Sequence, residues 1–439
     1  MTQSIIVVGA GWAGLSAAVA LTRKRYRVTL LESSRIIGGR ARSISQQNQM
    51  LDNGQHLLLG AYTQTLSLMR QVGLEEQDCL RRVPLSLDIR VSDGKPGVNV
   101  TFGRQTYPWN AVTALMQAKG LTLRERVWFI RGCLALNRHA QQDRSTSDET
   151  LQHFLRHQPA RLLRLVWAPL CLAAMNTPIE TASTTIFARV IRDAFFVSAP
   201  HSDMLFPSTG LSEGLPQQIC SRLAQHGSRV CPQWRVSSIH YSEGQIQAIE
   251  GRRGILPCSA LVLAVPPNEV QRLCANLPEM KSLLKQLEGF TWHAIATVYV
   301  RYPETVTLPE NRLIQGTAGG VIQWIIDRRC CQQPGWMACV ISATDVMCPE
   351  LANSREEMAK SVMQELAQLY PDWPTPLDCR VIQEKRATFA SVSGVDRIRP
   401  DNRTSLKGLF LAGDYTNTGY PATLEGAVRS GQQAAECME

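Results

Sequence analysis

Close to the start of the chain, Gly9-Ala10-Gly11-Trp12-Ala13-Gly14 has the spacing that holds a phosphate. The first glycine permits a tight turn and the second lets backbone approach a pyrophosphate. The third lets helix and strand pack closely, and the helix N-terminus offers unpaired N–H groups to the anion. Glu32 follows at the distance from which a carboxylate accepts hydrogen bonds from a ribose. Just downstream, Gly38-Gly39-Arg40-Ala41-Arg42 combines a glycine pair, which lets backbone come close to a ligand, with arginines able to neutralise phosphate charge. Metal chemistry has weaker support. His153 and His157 have an i, i+4 spacing, but Arg156 lies between them and no third ligand is near, so a solvated face and no metal are expected. The cysteines lack zinc spacing.

The elements that must position these groups are legible around them. Ser4–Val8 reads as a β-branched strand, residues 15–24 as a helix, and residues 28–31 as a second strand ending in Glu32, which is a βαβ unit in the right order. Residues 409–412 read as a buried strand running into Gly413-Asp414, and a helix begins within residues 421–431. The 439 residues are 44% hydrophobic and 19% charged, which suits two or three folded domains and excludes a disordered chain or a disulfide-held miniprotein. Thirteen scattered cysteines without a CxxC pair point to a reducing compartment. The apolar run over residues 5–21 is broken by three glycines and has no basic flank, so neither a signal peptide nor a membrane span is expected, and a cytoplasmic location follows. The formal charge of +9 has no nucleic-acid motif beside it.

Together, the opening turn and the Gly38–Arg42 run resemble the extended fingerprint of the large flavoprotein superfamily that includes monoamine oxidases and phytoene desaturases. In that superfamily the aspartate matching Asp414 binds the ribityl chain, and the helix after it directs its positive end at the flavin's pyrimidine carbonyl, where reduced flavin carries negative charge. The residue matching Val236 offers its backbone to adenine. The resemblance implies FAD, with contacts at Gly9, Gly11, Trp12, Ala13, Gly14, Glu32, Gly39, Arg40, Arg42, Gly54, Gln55, Val236, Gly413, Asp414, Leu424 and Glu425. It also implies an α/β fold: a doubly wound FAD-binding Rossmann-type domain from residues 1–80, 205–270 and 385–439, joined to a mixed α+β substrate domain from 81–204 and 271–384. With only one phosphate-binding fingerprint, electrons must pass by direct encounter of the flavin with a donor.

Three further stretches are narrower. Asp52-Asn53-Gly54-Gln55-His56, Trp167-Ala168-Pro169-Leu170 through Met175-Asn176-Thr177-Pro178, and Ala412-Gly413-Asp414-Tyr415-Thr416-Asn417-Thr418-Gly419-Tyr420-Pro421 resemble the hydroxysqualene dehydroxylases, also called squalene-associated FAD-dependent desaturases, over the full length. That implies reduction of hydroxysqualene to squalene in hopanoid synthesis, a polyisoprenoid substrate, and other squalene-pathway enzymes as candidate partners. A carotenoid-type desaturase or oxidase, with hydride flowing from substrate to flavin, stays open. So does a prenyl-lipid escort protein that uses no flavin, although Glu32 and Gly413-Asp414 speak against it. No lysine occupies residues 294–300, where amine oxidases keep one, and Thr423 stands where they keep a cage tyrosine. Their flavin-linking cysteine is also absent near residues 419–425, so the flavin is expected to be non-covalent and amine oxidation is disfavoured.

Loss of an allylic hydroxyl requires a proton donor. His56 is the first candidate because it titrates near neutrality. Tyr415 and Tyr420 are second, as phenols that donate without ionising readily. Asp52 serves as a donor only if burial keeps it protonated, and otherwise orients the histidine.

Residues 104–138 carry six basic residues (Arg104, Lys119, Arg124, Arg126, Arg131, Arg138) against Glu125 alone. Thr122 and Glu125 form a capping-box pattern. Leu123, Val127, Ile130 and Leu134 then make one apolar stripe, with Arg124, Arg131 and Arg138 on another. With Trp109, Trp128 and Phe129 nearby, the segment suits peripheral contact with an anionic membrane on its cytoplasmic face, and equally a domain helix with a solvated basic face.

Overall fold

A computed structural model describes residues 4–46, 49–92, 97–142, 148–242 and 244–438. Ser4–Val8 is almost wholly buried because both faces of its parallel sheet are covered, which explains the unbroken isoleucine-valine run. It pairs in parallel with Arg27–Leu31 on one side and Ala260–Leu263 on the other. Arg229–Cys231 and Leu409–Leu411 add the outer strands, giving five strands from three separated stretches of sequence. Gly9, at φ +103°, turns the chain from the first strand into helix Trp12–Arg23. A Cβ at Gly14 would stand 1.8 Å from the carbonyl oxygen of Gly9, so the predicted close packing of helix on turn is real. The last helix, Leu424–Glu436, lies against Trp12–Arg23, where Ser16 Oγ donates to the Val428 carbonyl at 2.8 Å and a side chain at Gly431 would strike Ala13.

A second, seven-stranded sheet is mixed. Its order is Asp378–Phe389, Trp292–Arg301, Trp336–Ser342, Trp324–Asp327, Ile314–Ala318, Ser86–Val91 and Val98–Thr101, with only the Ile314–Ala318 and Ser86–Val91 pair parallel. Helix Arg355–Leu369, capped by Ser354, packs on this sheet through Met358, Val362 and Leu366. The fold is thus the expected α/β arrangement of a parallel Rossmann-type sheet with a mixed sheet beside it. We propose that the two sheets are the cores of two domains. The division at residue 384 needs correction, since it falls inside Asp378–Phe389, a strand held along its length by Trp292–Arg301.

Helices Trp109–Gln117 and Leu123–Gln141 form a pair joined by Arg126, whose guanidinium donates to the carbonyls of Met116, Ala118 and Leu121. The capping box at Thr122 and Glu125 forms as predicted. Phe129, Cys133 and Leu136 face inward against helix Thr184–Phe195. The stripe of Leu123, Val127, Ile130 and Leu134 faces outward, with Leu123 78% exposed, and Trp109, Val112 and Met116 of the neighbouring helix are exposed beside it. Arg124, Arg131 and Arg138 are exposed too, and the Arg131 guanidinium lies over the Trp128 ring at 5.2 Å. No helix among the described residues is long and apolar enough to cross a membrane.

Candidate active site

One continuous cavity of about 830 Å³ runs from the glycine-rich turn to the mixed sheet. Its first end is backbone. Gly11 and Gly38 form an isolated parallel bridge, and Gly38 N–H donates to the Ala10 carbonyl at 3.0 Å, so the two glycine motifs lie back to back. A Cβ at Gly11 would meet only the Gly39 Cα, at 3.7 Å, and would otherwise point into open space. Glu32 ends the second strand with its carboxylate turned toward this floor: Oε2 accepts from Ala10 N–H and Oε1 from Ser34 N–H, each at 2.8 Å. Val236 lines the cavity with Trp234 and Arg235, and its carbonyl accepts from Arg272 at 2.9 Å.

Midway, Arg40 reaches across to the other end of the chain. Its guanidinium donates to Asp414 Oδ1 at 2.6 Å and to the Ala387 carbonyl at 2.7 Å. Arg42 lines the same stretch and donates to the Gly39 carbonyl. Trp12, Ala13, Gly39, Gly54, Gln55, Gly413 and Leu424 all face the cavity, the last at the first turn of the helix that Thr423 caps. Trp12 Nε1 and the Tyr415 hydroxyl are buried with no partner among the described residues, although both side chains line the cavity. Those two polar atoms are sealed from the cavity itself, so the fit of a cofactor rests on its backbone floor and charged groups. The open space at Gly11, the Arg40–Asp414 pair and the Leu424–Glu436 N-terminus together fit a dinucleotide carrying a polar ring system.

Beyond this point the walls become apolar: Leu170, Phe187, Ile191, Phe195, Trp324 and Ile326 are among the lining residues. His56 sits in the lining at the change of character. Its Nδ1–H donates to the Gly54 carbonyl at 3.0 Å, and Nε2 has no partner among the described residues. Burial holds its pKa below the ordinary 6.5, with the Gly54 hydrogen bond working against that shift. Burial, with Asp414 adding to it, pushes the Tyr415 phenol far above its ordinary range, so it keeps its proton. No lysine or cysteine lines the cavity among the described residues.

A backbone floor for phosphates and a buried polar ring site are what a flavin enzyme needs, and a family model of the flavin containing amine oxidoreductases matches residues 12–438. The chain belongs to this family. The hydroxysqualene dehydroxylase of Rhodopseudomonas palustris is 27% identical over 100% of this chain and 99% of its own length. A 15-cis-phytoene desaturase of Narcissus pseudonarcissus is 25% identical over 99% of this chain and 79% of its own. Among solved structures, an oxidoreductase from Methanosarcina mazei superposes with a TM-score of 0.76 at 16% identity, covering 99% of this chain and 100% of that one, a likeness of fold. As a member of the flavin-containing amine oxidoreductases, the chain has residues that fit the group its family carries.

Four residues expected at the site do not reach it. Gly14 is outside the cavity lining and serves instead to let the helix pack against the Gly9 carbonyl. Asp52 is 1% exposed and ion-paired to the equally buried Arg328 at 2.9 Å, while its other oxygen accepts from Ser43 Oγ and Leu211 N–H. It therefore neither meets the cavity nor touches His56. Glu425 is fully buried, and its carboxylate caps helix Thr63–Gln71 through Gln64 N–H, Thr65 N–H and Thr65 Oγ1 and pairs with Arg429. The Tyr420 hydroxyl donates to Asp193, the Arg189 and Arg429 guanidiniums each lie over its ring, and the residue is outside the cavity lining. His153 and His157 do not share a helix face, because helix Leu151–Phe154 ends between them; no metal-binding cluster exists among the described residues.

Sequence reasoning missed Arg328. It donates to Gln55 Oε1 at 2.6 Å as well as to Asp52, so it fixes the stretch that presents His56. It also missed the part of Asn176, which ends helix Ala168–Met175 in the left-handed region at φ +49°. The Asn176 side chain clamps Ala343 N–H and Thr388 Oγ1, which explains an asparagine before Thr177-Pro178.

The glycines supply a clean prediction. Gly11→Val, at a φ of −74° that any residue adopts, should fold normally but purify without flavin absorbance and show no thermal stabilisation on FAD addition. Gly14→Val, which drives a side chain into Gly9, should instead fail to give folded protein.

Proposed function

We propose that this chain is an FAD-dependent dehydroxylase that reduces hydroxysqualene to squalene, with the flavin held non-covalently. The observation that supports this most is the continuity of a glycine-floored, charge-lined end with an apolar aromatic compartment, with His56 in the lining and its Nε2 without a partner among the described residues. The full-length likeness to a hydroxysqualene dehydroxylase adds to it. The absence of lysine and cysteine from the described lining agrees with a non-covalent flavin and a substrate other than an amine.

Residue by residue, the floor at Gly11 and Gly39 takes the pyrophosphate, Glu32 the ribose, and Arg40 with Asp414 the stretch between pyrophosphate and ring. The first turn of Leu424–Glu436, which lines the cavity, would offer positive potential to the ring's polar edge. Bound and reduced, the flavin supplies the hydride that replaces the substrate hydroxyl. The protein must deliver a proton to that hydroxyl as its C–O bond breaks. His56 does so from Nε2 as the imidazolium, with Nδ1–H anchored on Gly54, and the Tyr415 phenol is the second donor within the lining. The aromatic walls, Phe187 and Trp324 among them, exclude water, which would otherwise capture an allylic cation.

The outward stripe at Leu123, Val127, Ile130 and Leu134, beside Trp109 and Met116 and among exposed arginines, supports peripheral attachment to an anionic bilayer.

An anaerobic reaction tests the main reading. Chemically reduced enzyme mixed with hydroxysqualene should yield squalene and oxidised flavin in equal amounts. Oxidised enzyme that instead desaturates a carotenoid precursor, with no squalene from the first mixture, would assign the chain to the desaturases.

A further inference from the structure

Strand Trp324–Asp327 runs into a single 3₁₀ turn, Arg328–Cys331, which Asp327 caps by accepting from Arg329 N–H at 3.0 Å. The turn ends on two cysteines in succession, and their sulfurs lie 3.6 Å apart. Each sulfur also donates to a backbone carbonyl at 3.2 Å, Cys330 to Asp327 and Cys331 to Pro207. Both residues are 5% exposed, but Gln332 beside them is exposed and donates to the Ser208 carbonyl at the surface. The pair therefore lies one residue below solvent. Neither cysteine lines the cavity, and the flavin site makes no use of them.

The two thiols are unequal. The hydrogen bond between them holds Cys331 below the ordinary 9.0 against the upward push of burial, with the Arg328 guanidinium adding to the lowering, and the same bond pushes Cys330 up. Burial alone raises the thiols of Cys133, Cys258 and Cys274. The thiolate is the nucleophilic form, and a neighbouring arginine makes it available. Cys331 is thus placed to attack and Cys330, already in contact with it, to resolve.

We infer that Cys330 and Cys331 are a redox modification site, closing to a vicinal disulfide with a hydroperoxide as oxidant and thereby withdrawing Arg328 from the loop that presents His56. Cys331 sulfur attacks one peroxide oxygen and the O–O bond breaks. Cys331 becomes a sulfenic acid, and the departing hydroxide takes up the proton that Cys331 gave up. Cys330 sulfur then attacks Cys331 sulfur: the S–S bond forms, the S–O bond breaks, and the hydroxyl leaves with the Cys330 proton as water. The two cysteines lose two electrons and two protons, and hydrogen peroxide becomes two waters. A disulfide between chain neighbours closes a ring of eight atoms, tighter than the usual span between bridged residues, so a dithiol reductant reopens it readily.

Closure has to reshape the turn. Successive side chains leave a 3₁₀ helix roughly 120° apart, so the sulfurs reach bonding distance only if the backbone of Arg328–Cys331 unwinds. Arg328 opens that turn, and its guanidinium donates to Asp52 Oδ2 at 2.9 Å and Gln55 Oε1 at 2.6 Å. Oxidation therefore loosens residues 52–56 from outside the cavity. Its effect on turnover rests on the reading of His56 as proton donor, whereas the modification itself does not.

The test treats the FAD-loaded protein with hydrogen peroxide, alkylates the remaining thiols and locates them by mass spectrometry. The peptide carrying both cysteines should lose two hydrogens, take no alkyl group at either position and regain both thiols with dithiothreitol, all before Cys133 or Cys274 reacts. In Cys330→Ser the reaction should stop at a sulfenic acid on Cys331, which dimedone traps, and in Cys331→Ser the Cys330 thiol should persist. Cys330→Ala and Cys331→Ala provide the same measurements should serine not be tolerated in the buried turn. Hydrogen exchange reads the consequence. Oxidation should speed exchange at the Asn53, Gly54 and Gln55 amides at least ~10-fold while Ser4–Val8 keeps its protection, and reduction should reverse it. Both thiols still open to alkylation after peroxide, or a sulfenic acid trapped on Cys330 in place of Cys331, overturns the site. A disulfide that forms with exchange at residues 53–55 unchanged overturns the link through Arg328. Because neither measurement needs a substrate, failure to reduce hydroxysqualene would refute the proposed activity and leave the modification site standing.

Discussion

Replacing His56 by phenylalanine is expected to leave flavin bound and slow turnover of hydroxysqualene by roughly 10² or more, the loss that follows removal of a positioned proton donor. The Gly54 carbonyl can only accept, so Nδ1 carries the proton of the neutral ring and Nε2 is a bare acceptor. To donate, the ring must become imidazolium, and burial lowers its readiness to do so from the ordinary 6.5. Turnover should therefore rise as pH is lowered from about 8 to about 6, and that rise should vanish in His56→Phe. The fold carries the opposite sign. The unfolded chain takes up the His56 proton more readily than the folded one, so this residue costs stability as pH falls below 6.5 and nothing above it. Near-normal turnover in the phenylalanine variant would move the donor to Tyr415.

Removing the guanidinium at position 328 should be strongly destabilising. Arg328→Met strands the Asp52 carboxylate where neither partner is more than 2% exposed, and breaking a buried pair from one side costs about 3–5 kcal/mol. The same change frees Gln55 and, with it, the support under His56. Asp52→Asn in the Arg328→Met background should recover a substantial part of the loss, because the amide oxygen still accepts from Ser43 and Leu211 while the unpaired charge is gone. Denaturant midpoints of the two single variants and the double variant check this. A double variant no more stable than Arg328→Met would mean that Arg328 acts through packing on Tyr299, whose ring lies 5.2 Å from it.

The features that could be read from sequence are those whose physics is local. A glycine turn between strand and helix, a capping box four residues long, and a helix opening after Asp414 each depend on neighbours in the chain, and all are found where expected. The apolar stripe over Leu123 to Leu134 was legible as periodicity, but its outward direction was not. The helix is apolar on both sides, with Phe129, Cys133 and Leu136 inward, and periodicity gives no sign to a face. The misassigned acids and tyrosine share another cause. Asp52 finds Arg328, Glu425 finds Thr65, and Tyr420 finds Asp193, all partners more than two hundred residues away that no spacing rule reaches. Each looked available for chemistry because sequence shows a side chain's type before it shows what occupies it.

The central strand Ser4–Val8 also sets a timetable. It leaves the ribosome first, yet its neighbour Ala260–Leu263 comes much later and Leu409–Leu411 later still, followed by the helix that covers Trp12–Arg23. At roughly 5–20 residues per second, the glycine-rich turn waits on the order of 20–80 s for Asp414 to arrive opposite Arg40. Through that interval the nascent chain holds half a cofactor site beside unpaired parallel strands, and chaperone occupancy there would govern yield more than final stability does. Flavin loading should accordingly follow synthesis. Ribosome-arrested chains stalled before residue 409 should bind none, although every glycine of the opening turn is already in place.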